Sequence, residues 1–190
     1  MTVYKIALIG DGGVGKTSIR ERYIGNAFKA EYLLTVGADF AMRDDTINGF
    51  PVRYQIWDLA GQDRFDGVRE AYYNGCVGAL LVYDITRPES FYNGPKWINE
   101  LWTNNKRGRV PIVVVANKID LRNGNATISH NQGLSFTNNL CNLTKSNGFQ
   151  CHFIETSAKT GVNISQAFSL LGINIIKFIE NHQRTPFLMC

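Results

Sequence analysis

The sequence predicts an α/β protein of three layers: a six-stranded, mostly parallel sheet with one antiparallel strand and about five helices on its two faces. Three observations lead to this fold class. Six apolar runs alternate with amphipathic stretches along the chain. Two of the runs, 76–83 and 112–116, are continuously apolar, as strands covered on both faces are. Asn48-Gly49 separates two neighbouring runs, and this dipeptide is typical of a hairpin turn.

The predicted elements follow one another as strand, helix, two strands and then alternating helices and strands. The strand candidates cover residues 3–9, 39–47, 51–57, 76–83, 112–116 and 151–155. The helix candidates cover residues 16–23, 68–73, 90–104, 129–143 and 163–179. Ligands of such folds bind beyond the carboxyl ends of the parallel strands. We therefore expect the loops that begin at residues 10, 58, 117 and 156 to meet at one rim.

Composition and charge limit the classes of function. The chain of 190 residues, 44% of them hydrophobic, is long enough to bury the core of one domain. Its net charge of +4 is too small and too dispersed to indicate nucleic acid as a partner. The sequence has neither a run of 18 apolar residues nor a signal peptide, and its four cysteines show no disulfide-rich spacing. These features predict a cytoplasmic protein.

The first loop carries a phosphate-binding pattern. Residues 10–18 read GDGGVGKTS, which matches G-x-x-x-x-G-K-[ST], follows an apolar strand and begins a helix. Glycines let several backbone N–H groups point inward, and the helix N-terminus adds a positive dipole end. Lys16 brings a point charge to the outer phosphates, and the Thr17 hydroxyl can bind Mg²⁺. The predicted nucleoside triphosphate contacts are Asp11, Gly12, Gly13, Val14, Gly15, Lys16, Thr17 and Ser18.

Two later loops carry residues that can read a guanine base. In NKID, the Asp120 carboxylate can accept hydrogen bonds from guanine N1–H and the 2-amine, which adenine lacks. Asn117 can either brace the loop or reach the base, and the Lys118 stem can cover the base plane. In ETSAK, the Ala158 backbone N–H can donate to the guanine oxygen. The predicted base contacts are Asn117, Lys118, Asp120, Ser157, Ala158 and Lys159.

These motifs resemble those of a small GTPase of the Ras superfamily, most closely of the Rab type. The resemblance spans roughly residues 4–179 and rests on GDGGVGKT, TVGADF, WDLAGQDRF, YYNG, LVYDIT, NKID and ETSAK. It implies the P-loop NTPase (Ras-like) fold and GTP/GDP with Mg²⁺ as cofactors. The implied function is a switch that hydrolyses GTP slowly and recruits effectors in its GTP form, in Rab-like membrane trafficking or signalling.

The resemblance also implies roles for single residues. Thr35 and Asp58 resemble the residues that hold Mg²⁺ together with Thr17. Gly61 resembles the backbone donor to the γ-phosphate, and Gln62 resembles the residue that orients the attacking water. With Lys16, these two form the expected catalytic set. Phe28 corresponds to an aromatic residue that packs on the guanine.

The expected partners are a GTPase-activating protein, an exchange factor and effectors. The resemblance places their contacts on residues 30–40 and 57–74, with Phe40, Trp57 and Tyr72 as an aromatic triad. An ordinary place in the core is the alternative for these three rings. We expect a monomer, with a GTPase domain over 1–181 and a short tail over 182–190. Membrane association stays open, because Cys190 ends the chain without a prenylation box or a polybasic run.

Three departures from the family pattern stand out. Leu59 replaces the usual Thr and Asp63 the usual Glu, and either change could alter how the second switch packs. The segment 120–155 is longer than usual and rich in Asn, which predicts an insertion around its helix.

Two alternatives to the switch remain: a GTP-dependent binding module that hydrolyses poorly, and another phosphate-loop enzyme such as a nucleotide kinase.

Overall fold

The computed structural model describes residues 1–27, 35, 37–61, 66–122 and 128–184. Its strands are β1 Thr2–Ile9, β2 Ala38–Ile47, β3 Phe50–Leu59, β4 Gly78–Asp84, β5 Ile112–Asn117 and β6 His152–Glu155. They form one sheet in the order β2-β3-β1-β4-β5-β6. Neighbouring strands run parallel, apart from the antiparallel pair of β2 and β3. The predicted sheet of six strands with one antiparallel member is confirmed.

The helices are α1 Lys16–Ile24, α2 Asp66–Tyr73, α3 Pro88–Tyr92, α4 Gly94–Asn104, α5 His130–Thr144 and α6 Ile164–Arg184. The helix predicted over 90–104 is present but divided at Asn93. Pro95 has no amide hydrogen to donate to the carbonyl four residues earlier, so it occupies the first turn of a new helix. Helix α6 extends past the predicted end at 179 and past residue 181, the expected boundary of the domain.

Helices cover both faces of the sheet. On one face, Ile19 and Tyr23 of α1 pack with Phe168 and Leu171 of α6. On the other face, the core contains Tyr73 of α2, Trp97 and Leu101 of α4, and Leu140 of α5. Every residue of β4 and β5 is buried between these layers, as their continuously apolar sequences predict.

The β2–β3 hairpin places the edge of the sheet beside the predicted metal site. Asn48 and Gly49 both have positive φ, 49° and 83°. This is the backbone conformation of the tight hairpin turn that the sequence predicts. The register that follows sets Asp39 of β2 opposite Asp58 of β3. Asp58 therefore lies near the carboxyl end of β3, next to β1 and its loop.

The long segment between β5 and β6 contains the helix that the sequence predicts there. Helix α5 begins with a capping box, in which the Ser129 hydroxyl accepts from the Gln132 backbone N–H and the Gln132 side chain accepts from the Ser129 backbone N–H.

Cys76, Cys141 and Cys151 are free thiols. Within the described ranges, none of the helices is both long and apolar enough to cross a membrane.

Candidate nucleotide site

The phosphate loop joins β1 to α1 and encloses the side chain of Lys16. The Lys16 ammonium donates to the carbonyl oxygens of Gly10 and Asp11, at 2.6 and 2.8 Å. Burial lowers the pKa of Lys16 to about 8, although Asp58 and Asp11 nearby favour its charged form. A cation that has lost its water in this way is stabilised by an anionic group placed beside it. Gly13, Val14 and Ser18 lie in the same loop and in the first helical turn.

Three oxygen-bearing side chains from distant parts of the chain meet next to this loop. The Thr17 and Thr35 hydroxyls lie 3.0 Å apart, and the Thr17 hydroxyl also donates to Asp58 Oδ2. Asp58 is fully buried, and its Oδ1 has no hydrogen-bond partner among the described residues. Burial raises the pKa of Asp58, while the Thr17 hydrogen bond and the charge of Lys16 act in the opposite direction.

This donor set fits Mg²⁺. Mg²⁺ prefers oxygen ligands and usually takes one or two carboxylates from the protein together with substrate phosphates and water. Two hydroxyls and one buried carboxylate with an orphaned oxygen satisfy that preference. All three residues that the sequence assigns to the metal are brought together here.

Gly61 closes the site from the end of β3. The Gly12 N–H donates to the Gly61 carbonyl at 2.9 Å. A Cβ on Gly61 would lie 2.4 Å from Gly12 N and 2.5 Å from the Gly10 oxygen, so any side chain would displace the phosphate loop. The position requires glycine because two backbone segments approach each other here. Gln62 and Phe28 lie outside the described residues.

Asn117 joins the phosphate loop to the two base-reading loops. Its Nδ2 donates to the Val14 carbonyl at 2.9 Å. Its Oδ1 accepts from the Thr156 hydroxyl at 3.1 Å and from the Ala158 N–H at 3.2 Å. In this structure Asn117 therefore braces three loops, which is the first of the two alternatives that its sequence left open. The four loops predicted to share a rim do share it.

The other base-loop residues surround this brace. Asp120 Oδ1 accepts from the Ser157 hydroxyl at 2.5 Å, and the Asp120 side chain is exposed. The Lys118 ammonium pairs with Asp84 Oδ2 at 2.7 Å, from a backbone with φ of 67°. Lys159 is exposed at the end of the last loop. The carboxylate assigned to the guanine edge thus has a fixed orientation and faces solvent.

The chain matches the family model described as Ras family over residues 5–177. The chain belongs to the Ras family. It is 40% identical to Ras-related protein Rab2BV from Beta vulgaris over 178 residues, which cover 94% of this chain and 78% of that protein. It is 37% identical to Ras-related protein rab-11.1 from Caenorhabditis elegans, with 94% and 80% covered. It is also 37% identical to GTP-binding protein ypt3 from Schizosaccharomyces pombe, with 94% and 78% covered.

Membership of the Ras family gives the protein its function. The protein is a small GTPase of the Rab type, a GTP-binding switch that hydrolyses GTP. The alternatives of a hydrolysis-poor binding module and of a nucleotide kinase are not favoured by these relatives. The expected Ras-like fold is confirmed by the sheet topology and the family match together.

The aromatic triad forms a half-buried patch on this small GTPase. The ring centroids of Phe40 and Trp57 lie 5.0 Å apart, and those of Trp57 and Tyr72 lie 4.9 Å apart. Phe40 is 40% exposed, whereas Trp57 and Tyr72 are partly buried and pack against the core. Leu59, two residues beyond Trp57 on the same strand, is 1% exposed and packs in the core beneath α2 and α4.

Sequence reasoning missed the connections between the phosphate loop and α4. Asp11 Oδ1 accepts from the Trp97 indole at 2.7 Å, and its Oδ2 accepts from the Asn93 amide at 2.8 Å. The Asp11 side chain is therefore held by the α3–α4 junction, which leaves its backbone to line the loop. Both partners lie more than 80 residues away along the chain, so no local pattern indicated them.

Sequence reasoning also missed a buried ion pair behind the second switch. Arg69 of α2 is fully buried, pairs with Glu100 of α4 at 2.7 Å and donates to the Ala60 carbonyl at 3.1 Å. The Tyr73 hydroxyl donates to Glu100 as well, at 3.0 Å. One signal was available: Arg69 lies four residues before Tyr73 and interrupts the apolar face of its helix.

Proposed function

We propose that the residues at this rim hold GTP or GDP with Mg²⁺ and divide the work of binding, hydrolysis and switching. The observation that carries the proposal is the cluster of Thr17, Thr35 and Asp58 oxygens beside the buried Lys16 ammonium. Hydroxyl and carboxylate oxygens at a phosphate loop suit a bound metal, and a desolvated lysine suits phosphate. The loop residues 11–18 cradle the phosphates with their N–H groups.

Thr17, Thr35 and Asp58 hold Mg²⁺ in this proposal. Bound there, the ion supplies positive charge to the phosphate oxygens. Thr35 follows residues 28–34, and Asp58 precedes Gly61, so the same three oxygens connect the first and second switch segments to one point. Loss of the γ-phosphate contacts of Thr35 and Gly61 after hydrolysis would release both segments.

Asp120 determines the choice of base. Its carboxylate accepts from guanine N1–H and the 2-amine, while Lys118 and Phe28 cover the base plane. The Ser157 hydroxyl orients Asp120. Residues 157–159 would contact the guanine oxygen when nucleotide is bound. Adenine would leave the Asp120 carboxylate unpaired, and for this reason the site rejects it.

Hydrolysis depends on Gln62, Gly61 and Lys16. Gln62 orients the attacking water, the Gly61 N–H meets the γ-phosphate, and Lys16 stabilises the charge that develops on it. Chemistry of this kind consists mainly of positioning and charge stabilisation. The intrinsic rate is slow, and an arginine from a GTPase-activating protein would raise it by roughly 10³- to 10⁵-fold.

The partners recognise residues 30–40 and 57–74. Phe40, Trp57 and Tyr72 supply a contiguous, partly exposed aromatic surface at the junction of the two switch segments. Aromatic side chains in such a setting are frequent anchors of protein interfaces. Effectors bound there in the GTP form would act in Rab-like membrane trafficking or signalling. The protein is a monomer in this proposal, with a GTPase domain over residues 1–181.

An exchange of base specificity tests the proposal. Asp120→Asn should weaken GDP and GTP binding by about 100-fold or more and admit xanthosine nucleotides, because the amide complements the xanthine edge. Dissociation constants would be measured by fluorescence of labelled nucleotides. Asp44→Asn is the matched control, since Asp44 is exposed on β2 and should leave both affinities unchanged. Unchanged GDP affinity in Asp120→Asn would contradict the assignment of the base.

A further inference from the structure

Arg87, which neither the motifs nor the proposed roles include, contacts the phosphate loop from the neighbouring strand. It lies just after β4, which is adjacent to β1 in the sheet. Its Nη1 donates to the Gly12 carbonyl at 2.8 Å, and its side chain is exposed. A guanidinium group therefore lies at the open rim of the site.

The backbone of Arg87 is held in place. Its N–H donates to the Asp84 carbonyl at 3.0 Å. Its own carbonyl accepts from the Ser90 N–H at 3.0 Å and from the Ser90 hydroxyl at 2.7 Å. Pro88 follows with its fixed φ and begins α3. The side chain thus extends from a firmly positioned residue and can move between the loop carbonyl and a ligand without a change of backbone.

Lys16 and Arg87 both contact the first part of the phosphate loop, residues 10–12, which we call its outer arm. Lys16 donates to the carbonyls of residues 10 and 11, and Arg87 donates to the carbonyl of the next residue, Gly12. Two cations on three consecutive carbonyls favour an anion at the same place. The residues of the opposite arm, 13–18, lead into α1 and cradle the inner phosphates.

The position of Gly12 indicates which phosphate Arg87 would meet. Gly12 is the loop residue that contacts the second switch, through its N–H and the Gly61 carbonyl at 2.9 Å. The γ-phosphate is the group that Gly61 is proposed to contact. An arginine on Gly12 therefore lies at the outer end of the phosphate chain.

We propose that Arg87 is a specificity-determining residue. It favours GTP over GDP by placing its guanidinium beside the γ-phosphate, which only GTP carries. The inference rests on the proposed assignment of the phosphate loop. It adds a residue supplied by this chain itself to the recognition of the γ-phosphate. Arginine suits this role because its planar group can donate two parallel hydrogen bonds to phosphate oxygens.

The test compares the affinities of GDP and a non-hydrolysable GTP analogue in the full chain with Mg²⁺. Arg87→Ala should weaken the GTP analogue by about tenfold and GDP by less than about twofold. Arg87→Gln can still donate to the Gly12 carbonyl but carries no charge, so it should lose the same preference. Arg87→Lys keeps the charge but not the planar group with two parallel donors. Its preference for the GTP analogue should lie between that of Arg87→Gln and that of wild type. The preference should also weaken at high salt, because the group is exposed.

Arg109→Ala is the matched control. Arg109 is also an exposed arginine that donates to a carbonyl, that of Leu143 at 3.1 Å, but it lies before β5 at the opposite end of the sheet. It should change neither affinity. Equal loss of both nucleotides in Arg87→Ala, with both affinities kept in Arg87→Gln, would show that Arg87 only holds the loop. No loss in either variant would remove it altogether. If wild type binds neither nucleotide, the nucleotide site itself is wrong.

Discussion

The Trp97 indole donates a 2.7 Å hydrogen bond to Asp11, and this bond attaches helix α4 to the phosphate loop. The same indole ring lies 4.5 Å from the guanidinium carbon of Arg69, which donates to the Ala60 carbonyl at the end of β3. One tryptophan thus contacts the phosphate loop and, through Arg69, the segment that carries the second switch. Helix α4 is in this way part of the support of the candidate nucleotide site.

Replacing Trp97 by Phe should speed the release of nucleotide. The ring and its contact with Arg69 remain, but Asp11 loses one of its donors, which costs about 1 kcal/mol. We expect GDP to dissociate about fivefold faster, measured by fluorescence of a labelled nucleotide. Trp102→Phe is the matched control, because Trp102 donates its indole hydrogen to Val110, away from the loop. Equal dissociation rates in the two variants would contradict the role given to Trp97.

Replacing Glu100 by Gln should destabilise the fold strongly. Arg69 is fully buried and the Glu100 side chain is only 15% exposed, so the change leaves a buried cation without its counter-ion. We expect a loss of about 3 kcal/mol in the free energy of unfolding, measured by urea denaturation. Asp44→Asn, which breaks the exposed pair of Asp44 and Arg53, should leave stability unchanged.

The double variant Arg69→Met, Glu100→Leu separates the cost of an unpaired charge from the value of the pair. It removes both charges and keeps apolar volume, so it should be more stable than Glu100→Gln alone. If the double variant is less stable than the single one, the ion pair together with its hydrogen bonds to Ala60 and Tyr73 is what holds α2 against α4.

Replacing Gly15 by Ala should abolish tight nucleotide binding through the brace of Asn117. A Cβ on Gly15 would lie 2.4 Å from Asn117 Nδ2, the atom that bonds the Val14 carbonyl. Gly25→Ala is a close control: both glycines have φ of 100°, but a Cβ on Gly25 would meet nothing within 4 Å. The positive φ should cost both variants about 1 kcal/mol of stability, the clash should cost Gly15→Ala more, and only Gly15→Ala should lose GDP affinity. Loss of GDP affinity in Gly25→Ala as well would assign the effect to backbone strain.

Replacing Leu59 by Thr should lower stability and leave nucleotide affinity unchanged. Leu59 is buried in the core, so the change removes apolar volume and buries a hydroxyl. We expect a loss of about 2 kcal/mol by thermal or urea unfolding. Leu143→Thr, at a position that is 68% exposed, should have little effect. A change in GDP affinity for Leu59→Thr would show instead that this residue acts on the site.

The sequence predicted which loops of the candidate site meet, but it predicted single distant contacts only where the family resemblance supplied them. Lys16 and Thr17 are recognisable because the phosphate loop is one continuous motif. Thr35 and Asp58 stand 18 and 41 residues from Thr17. The rule for strand ends placed the loop at residue 58 beside the phosphate loop, whereas the place of Thr35 came only from the resemblance. Asn117 shows the limit in another way, because its amide could serve the base or the loops and only packing decides between them.

The contacts that escaped prediction depend on how the helices are placed. Arg69 meets Glu100 because α2 and α4 pack side by side, and no spacing within either helix indicates that register. Arg87 meets Gly12 because β4 neighbours β1. The division of the predicted helix 90–104 at Asn93 is different. Pro95 stands in the sequence, and its missing amide hydrogen was a sufficient reason to predict a helix boundary there.

Single-turnover release of phosphate from GTP tests the central claim most directly. Purified wild-type protein, loaded with GTP labelled at the γ-phosphate and given Mg²⁺, should release one phosphate per protein in a slow first-order process. Gln62→Leu should bind GTP with unchanged affinity and release almost none, because the attacking water is no longer oriented. Equal rates in the two proteins would remove Gln62 from the mechanism. Tight binding of GTP without release by wild type would contradict the account of a hydrolysing switch.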